Sequence, residues 1–152
     1  MSKLIGVMVI AISFAVSSNM HSQMKNNSTM TNKQTVLTFL NGFNDPAQIG
    51  ASLELLIDEY EFTNPMVELH SKAEFIALAQ GIGEVLTGLE ILNVAESGDW
   101  VTVMYNFKSN IPGLETTIAT EWFRLKGGKI IESVLIYDAS EWRKVYASME
   151  KE

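Results

Sequence analysis

The carboxylate best placed for chemistry is Glu121, which lies in an alternating run of polar and apolar residues from Ala119 to Leu125. The alternation predicts a strand whose successive side chains point to opposite faces of a sheet. On the inner face, burial would raise the pKa of Glu121 and let it act as a general acid or base near neutral pH. The alternative is a solvent-facing glutamate. Strict alternation puts Trp122 on the opposite face, so Trp122 joins the ligand site only if a strand bulge intervenes.

An asparagine and two tyrosines are candidates for contacting a ligand oxygen. Tyr60 and Tyr105 lie in strand-like segments, where the rings pack in the core and one hydroxyl could donate to a bound oxygen. Their spacing does not select between them. Asn64 precedes Pro65 and can either end a strand or hold a ligand carbonyl by a hydrogen bond.

Other polar residues have simpler structural explanations. Asp138 precedes Ser140 at the end of the last predicted strand, so it is expected to cap a helix, with a ligand contact at the pocket rim as the alternative. His70 is expected on the surface beside a helix start. Met66 and Met104 are expected to fill the core and not to bind a metal.

Length and composition exclude several classes of protein. A chain of 152 residues suits one compact domain. A net charge of −7 argues against a nucleic-acid partner. The absence of cysteine excludes disulfides and thiolate ligands, and two histidines argue against a multi-histidine zinc site. Neither a phosphate-binding glycine loop nor a serine elbow is present. We therefore expect no metal and no cofactor.

The first residues resemble a targeting segment. Lys3 precedes an apolar run from Leu4 to Val16, and small and polar residues follow it. This pattern predicts a signal peptide over residues 1–23, a polar linker over 24–30 and a periplasmic or secreted protein without a stable membrane anchor. The apolar run is shorter than the roughly 20 residues that cross a bilayer. A start at Met24 or Met30 would instead give a cytoplasmic protein.

Apolar residues at three- and four-residue spacing predict three helices in the first half of the chain. The first covers Asn32 to Asn44, and the second begins near Pro46 and carries on one side Ile49, Leu53, Leu56 and Ile57. A short strand follows from Tyr60 to Thr63. The third helix begins with the capping box of Ser71 to Glu74 and continues to about Thr87.

After Gly88 the period of the apolar residues changes to two, which predicts strands joined by glycine-containing hairpin turns. The four strands cover Leu89 to Ala95, Asp99 to Ser109, Glu115 to Leu125 and Lys129 to Asp138, and a last helix covers Ser140 to Met149. Helices followed by an antiparallel meander predict an α+β fold, with the helices on one face of a curved sheet.

This element order, the segment Phe62 to Pro65 and the segment Glu121 to Glu132 together resemble the SnoaL-like polyketide cyclases. Those proteins belong to a superfamily with nuclear transport factor 2, ketosteroid isomerase, scytalone dehydratase and limonene epoxide hydrolase. The resemblance covers about Thr31 to Tyr146 and places a SnoaL-like domain at residues 31–149. It implies a cone-shaped fold with a pocket between the helices and a mostly antiparallel sheet, often in a dimer. Glu121 matches a position where ketosteroid isomerase and several cyclases place a pocket acid.

Two positions depart from the pattern of these relatives. Ketosteroid isomerase has a catalytic aspartate before the proline, where this chain has Asn64, and an amide cannot take a proton from a carbon acid. Many SnoaL-like cyclases have His-Trp-Asp after the Gly-Lys-Ile turn, where this chain has Ser133-Val134-Leu135. Both departures favour a protein that has lost the cyclase and isomerase reactions.

We therefore expect a pocket protein that binds a small, apolar, oxygen-bearing molecule. As an enzyme it would be a cofactor-independent isomerase, cyclase or lyase, in which Glu121 moves the proton and Asn64 or a tyrosine polarises the substrate oxygen. The alternative is a non-catalytic ligand-binding or dimerisation module on the same fold. The resemblance and the exposed sheet face also predict a homodimer.

Overall fold

The computed structural model describes residues 30–149, which contain four helices and six strands. The predicted signal peptide and nearly all of the predicted linker lie outside these residues. Across the described range no helix is long and apolar enough to span a membrane. The elements, in chain order, are α1 (Asn32–Gly42), α2 (Ile49–Leu53), β1 (Leu56–Thr63), β2 (Glu68–Leu69), α3 (Lys72–Gly83), β3 (Leu86–Ser97), β4 (Trp100–Ser109), β5 (Thr116–Lys126), β6 (Lys129–Tyr137) and α4 (Ser140–Met149).

Side-chain caps begin two of the helices. At α1 the Thr31 hydroxyl accepts from the Gln34 amide at 3.2 Å, and the Gln34 side chain accepts from the Thr31 amide at 2.9 Å. At α3 the Ser71 hydroxyl accepts from the Glu74 amide at 3.2 Å, as the sequence predicts. The Glu74 carboxylate accepts from the His70 amide at 2.7 Å, one residue earlier than in an ordinary capping box.

The second and third helices are shorter than the sequence predicts. α2 starts at Ile49, not at Pro46, and Leu56 and Ile57 belong to β1, because Leu56 pairs with Ile130 on β6 and is buried there. α3 ends at Gly83, about four residues before the predicted end. The chain then enters β3 three residues before the predicted start of that strand.

The sheet has the strand order β2-β1-β6-β5-β4-β3. Strands β3 to β6 form the predicted antiparallel meander, and β1 is added in parallel beside β6. Register shifts in the β1/β6, β3/β4 and β5/β6 pairs mark bulges, which bend and twist strands. The sheet is curved and unclosed, and the helices pack on its inner face. The predicted α+β fold is confirmed.

An aromatic core fills one part of the space between helices and sheet. The Phe39 ring of α1 contacts the rings of Phe43, Phe75 and Phe123 at centroid distances of 5.4 to 6.1 Å. Phe75 of α3 also packs edge-on against Tyr60 at 5.2 Å. Along the inner face of β5, Leu125 and Phe123 belong to this core, Ala119 belongs to it and also lines a cavity, and Thr117 lines the cavity. Glu121 lies between the two regions.

Candidate functional site

A cavity of about 270 Å³ lies between α3, α4 and the inner face of the sheet. This volume is close to the lower limit of about 300 Å³ for small-molecule pockets. Its wall is mainly apolar, with contributions from Phe62, Leu78, Ile82, Phe107, Ala119 and Leu135. Apolar surface of this kind favours a ligand that is itself largely apolar.

A few polar groups interrupt the apolar wall. Asn64, Tyr105 and Tyr137 line the cavity. Trp142 and Thr117 also line it, but the Trp142 indole donates to the Thr117 hydroxyl at 2.9 Å and so has its partner within the protein. Burial raises the pKa of Tyr137, with a smaller contribution from Tyr146, so its phenol stays neutral near physiological pH.

Glu121 is buried on the inner face of β5, with only 4% of its surface exposed. The Tyr105 hydroxyl donates to Oε2 of Glu121 at 2.9 Å, and the Ser133 hydroxyl donates to Oε1 at 2.7 Å. Each carboxylate oxygen therefore has one protein donor. Two donors offset part of the cost of burying a charge, and the geometry accommodates the ionised form.

The buried position shifts the proton affinity of Glu121 towards neutral pH. Burial raises the pKa of Glu121 to about 7, although the hydrogen bonds from Ser133 and Tyr105 act in the opposite direction. Burial, together with the nearby Glu121 charge, raises the pKa values of Tyr60 and Tyr105 well above 10.0. Near pH 7 the group that gains or loses a proton here is therefore the carboxyl.

The contacts of Glu121 extend to a fourth side chain. Tyr60 on β1 lies 2.6 Å from the Ser133 hydroxyl, measured between the two oxygens. We call Tyr60, Ser133, Glu121 and Tyr105 the buried network. Of these four, only Tyr105 also lines the cavity. The network thus runs from the aromatic core to the cavity wall, and Tyr105 separates Glu121 from the cavity.

Trp122 is not at the cavity, which corrects its assignment as a ligand contact. Trp122 pairs with Thr102 and Val134 in regular register, and its side chain is 44% exposed on the outer face of the sheet. The bulge that would bring it to the inner face does not occur between Glu121 and Trp122. Met104 also lies exposed on the outer face, although we expected it in the core.

For Asn64 the sequence allows two roles, ending a strand and holding a ligand carbonyl. Its side-chain oxygen accepts from the Met66 amide at 2.7 Å and from the Val67 amide at 2.9 Å, which closes the turn after β1. Asn64 also lines the cavity. The oxygen is engaged in the turn, so the group that Asn64 offers to a ligand is its amide nitrogen.

Asp138 and His70 have the structural roles that the sequence favours. The Asp138 carboxylate accepts from the Ser140 amide at 2.9 Å and caps the start of α4, and its side chain is exposed. Asp138 is not part of the cavity wall, so its assignment as a ligand contact is also corrected. His70 is exposed ahead of α3. Tyr60 is completely buried in the network and likewise does not reach the cavity.

The sequence interpretation missed three residues of the site. Ser133, which the sequence marks only as a departure from the cyclase pattern, is a partner of Glu121. Tyr137 and Trp142 line the cavity. Alternation along β6 carries a signal for two of them, because Ser133 and Tyr137 are four residues apart and therefore share a face. Among residues 30–149, no group of three Asp, Glu or His side chains could hold a metal ion.

No family model matches this sequence, and no curated protein does. Solved structures are similar in fold. A nuclear transport factor 2-like protein of unknown function from Cytophaga hutchinsonii is 19% identical, with a TM-score of 0.63 over 77% of this chain and 96% of that one. IdmH from Streptomyces antibioticus, a proposed polyketide cyclase, is 14% identical, with a TM-score of 0.61 over 72% of this chain and 93% of that one.

A third similar structure contains a bound small molecule. It is a protein from Catenulispora acidiphila with a ketosteroid isomerase-like fold, in complex with trimethylamine. It is 14% identical, with a TM-score of 0.60 over 72% of this chain and 89% of that one. At these identities the likeness concerns the fold. This chain therefore has the nuclear transport factor 2-like fold, which it shares with ketosteroid isomerase-like and polyketide cyclase-like proteins.

Proposed function

We propose that this protein binds a small, largely apolar molecule with one polar oxygen in the cavity between α3, α4 and the sheet. The observation that carries the proposal is the composition of the cavity wall, in which Tyr105, Tyr137 and Asn64 are set among apolar side chains. An apolar wall supplies affinity, and a small number of fixed polar groups orients the ligand.

The cavity volume limits the size of this ligand. A cavity of about 150 Å³ accommodates benzene in an engineered protein. The volume of about 270 Å³ therefore suits a molecule of one or two rings. A larger, multi-ring ligand would require α3 or α4 to move away from the sheet.

Native mass spectrometry of gently purified protein tests this proposal. We expect a mass increment for a co-purifying small molecule, and we expect Ala119→Leu to lose it, because the larger side chain fills the cavity. Ala147→Leu makes the same exchange at an exposed position on α4 and should retain the increment. Retention of the molecule by Ala119→Leu would place the ligand elsewhere and contradict the proposal.

The second candidate function is acid–base catalysis on the bound molecule, and the buried carboxyl of Glu121 supports it. Glu121 is within hydrogen-bond distance of a phenol, and its pKa of about 7 lets it take or give a proton at neutral pH. Because Glu121 does not line the cavity, a proton that it exchanges with a ligand has to pass through the Tyr105 hydroxyl. Isomerisation, cyclisation and dehydration are reactions that such a transfer supports.

Exchange of the α-hydrogens of 1-indanone in deuterated water separates the two candidates. In the catalytic version, the wild-type protein accelerates the exchange, and both Glu121→Gln and Tyr105→Phe lose the acceleration. Tyr60→Phe, at the far end of the network, should keep most of it. Binding of 1-indanone without accelerated exchange would identify the protein as a binding module.

We further propose that two copies pair through the outer face of the sheet. Met104, Ile118, Trp122 and Ile136 surround Thr120 on this face and are 40% to 59% exposed. We call these four side chains the outer patch. Contiguous large apolar side chains on a sheet face are typical of an interface, and a two-fold axis lets one patch cover another.

A further inference from the structure

The buried network has three contacts and a definite number of protons. The contacts join Tyr60 to Ser133 at 2.6 Å, Ser133 to Glu121 at 2.7 Å and Tyr105 to Glu121 at 2.9 Å. All four side chains are at most 4% exposed. Their hydrogens are therefore satisfied within the protein or at the cavity, and bulk water is not available to them.

With Glu121 ionised, each hydroxyl proton of the buried network lies in one of the three hydrogen bonds. Tyr60 donates to Ser133, Ser133 donates to one carboxylate oxygen, and Tyr105 donates to the other. Three hydroxyl protons fill three contacts. In this state the Tyr105 hydroxyl has given its only proton to Glu121, so it offers a ligand nothing but an acceptor oxygen.

With Glu121 protonated, the same three contacts must accommodate four protons. One hydroxyl proton has to leave the network, either at Ser133 or at one of the two ends. Ser133 is 0% exposed, so a hydroxyl proton turned away there would be a buried donor without an acceptor. At one end Tyr60 is 0% exposed and packs against the Phe75 ring, where a hydroxyl proton would be a buried donor without an acceptor. At the other end Tyr105 lines the cavity. The extra proton is therefore released at Tyr105.

We propose that the protonation state of Glu121 sets the polarity of the cavity, so that Tyr105 donates a hydrogen bond to the ligand only when Glu121 is neutral. In that state the cavity prefers a ligand whose oxygen accepts a hydrogen bond, such as a ketone. When Glu121 is ionised, the contribution of Tyr105 to this preference is lost. The inference rests on the proposed binding function and specifies the chemical class of its ligand.

Among the titratable groups around Glu121, its own carboxyl is the one that changes protonation near neutral pH. The titratable groups that face it are Tyr60 on β1 and Tyr105 on β4, and Tyr137 on β6 lies beyond Tyr105. From α3 the residue packed over this region is Phe75, which carries no charge. Since the tyrosines hold their protons far above neutral pH, the ionisation of Glu121 is the event that changes the proton count.

The test compares two probes that differ only in a carbonyl group, 1-indanone and indane. We expect the wild-type protein to bind 1-indanone about five- to tenfold more tightly at about pH 6 than at about pH 8.5, as the loss of one hydrogen bond would give. The affinity for indane should be the same at both. An equal ratio of the two affinities at both pH values would overturn the proposal.

Three variants identify the residues that cause the pH dependence of 1-indanone binding. Glu121→Gln keeps a neutral group in place, so its affinity for 1-indanone should not change with pH. Tyr105→Phe removes the donor, so its affinity for 1-indanone should be lower than that of the wild type at about pH 6 and should not change with pH. Tyr137→Phe changes a cavity-lining residue outside the network, so this variant should still bind 1-indanone more tightly at about pH 6 than at about pH 8.5. A pH dependence that persists in Glu121→Gln would also overturn the proposal.

A ligand-free measurement distinguishes failure of this inference from failure of the binding proposal. In protein with ¹³C-labelled tyrosine and glutamate, the Cζ shift of Tyr105 should titrate together with the carboxyl carbon of Glu121. The Cζ shift of Tyr60 should change less. A larger change at Tyr60 would place the released proton at the wrong end and refute the inference. If Tyr105 titrates as expected but neither probe binds, the proposed binding function fails while the switch remains.

Discussion

Replacement of Glu121 by glutamine is expected to make the protein more stable than the wild type above neutral pH. The pKa of Glu121 is raised from 4.5 to about 7, so between these values the folded state binds a proton that the unfolded state releases. The contribution of Glu121 to the stability of the wild type is therefore largest below about pH 4.5 and falls as the pH rises to about 7. Glutamine mimics the protonated form and removes the fall, which corresponds to about 3 kcal/mol.

Urea unfolding at a series of pH values measures this effect. The free energy of unfolding of Glu121→Gln, relative to the wild type, should increase by about 3 kcal/mol between about pH 4 and about pH 8. Hydrogen bonds lower the pKa values of four exposed carboxylates, Glu74, Glu90, Glu115 and Asp138. Their contributions to stability therefore change at a lower pH than that of Glu121, and they increase as the pH rises. Parallel curves for the variant and the wild type would show that Glu121 is not buried as described.

A matched control separates burial from the exchange of glutamate for glutamine. Glu61→Gln makes the same change on β1, where the side chain is exposed. The pH profile of this variant should follow that of the wild type. A loss of the pH dependence in both variants would mean that overall charge, and not the buried carboxyl, determines the profile.

Trp122→Glu is expected to separate the proposed dimer into monomers. A charge within a buried apolar interface has no partner, and an unpaired buried charge costs about 3 to 5 kcal/mol. We therefore expect the dissociation constant to rise by more than about a hundredfold. Light scattering at micromolar concentration should give a dimer mass for the wild type and a monomer mass for the variant.

The control for this experiment adds the same charge at another exposed apolar residue. Met30 is 40% exposed before α1 and lies outside the outer patch, so Met30→Glu should remain dimeric. Circular dichroism should show that both variants are folded. A monomeric wild-type protein would refute the pairing, as would a dimer in which Trp122→Glu is tolerated.

The second half of the fold could be predicted from sequence because its signals are local. Alternating residues and glycine-containing turns define β4, β5 and β6 to within a few residues. The errors arose where long-range pairing decided the structure. Leu56 and Ile57 fit a helical pattern, but the pairing of Leu56 with Ile130 on β6 places this segment in β1. A helix period in a short segment cannot reveal a partner strand more than seventy residues away.

The site was predictable only in part for the same reason. Alternation allowed an inward Glu121, but it could not choose between the two faces of β5. The register of β4 against β5 pairs Tyr105 with Ala119 and sets the tyrosine diagonal to Glu121. On the other side of β5, the register of β6 pairs Ser133 with Phe123 and sets the serine diagonal to Glu121. These registers depend on turn geometry and curvature, which residue types alone do not specify.

The parallel pairing of β1 with β6 affects the order in which the chain can fold during synthesis. β1 leaves the ribosome before its parallel partner β6, which follows β3, β4 and β5 in the chain. Contacts of such long sequence separation form late, because closing a long loop costs entropy before the contact is gained. Until β6 is made, the edge of β1 that pairs with it lacks its partner strand, and an unpaired strand edge exposes the nascent protein to aggregation.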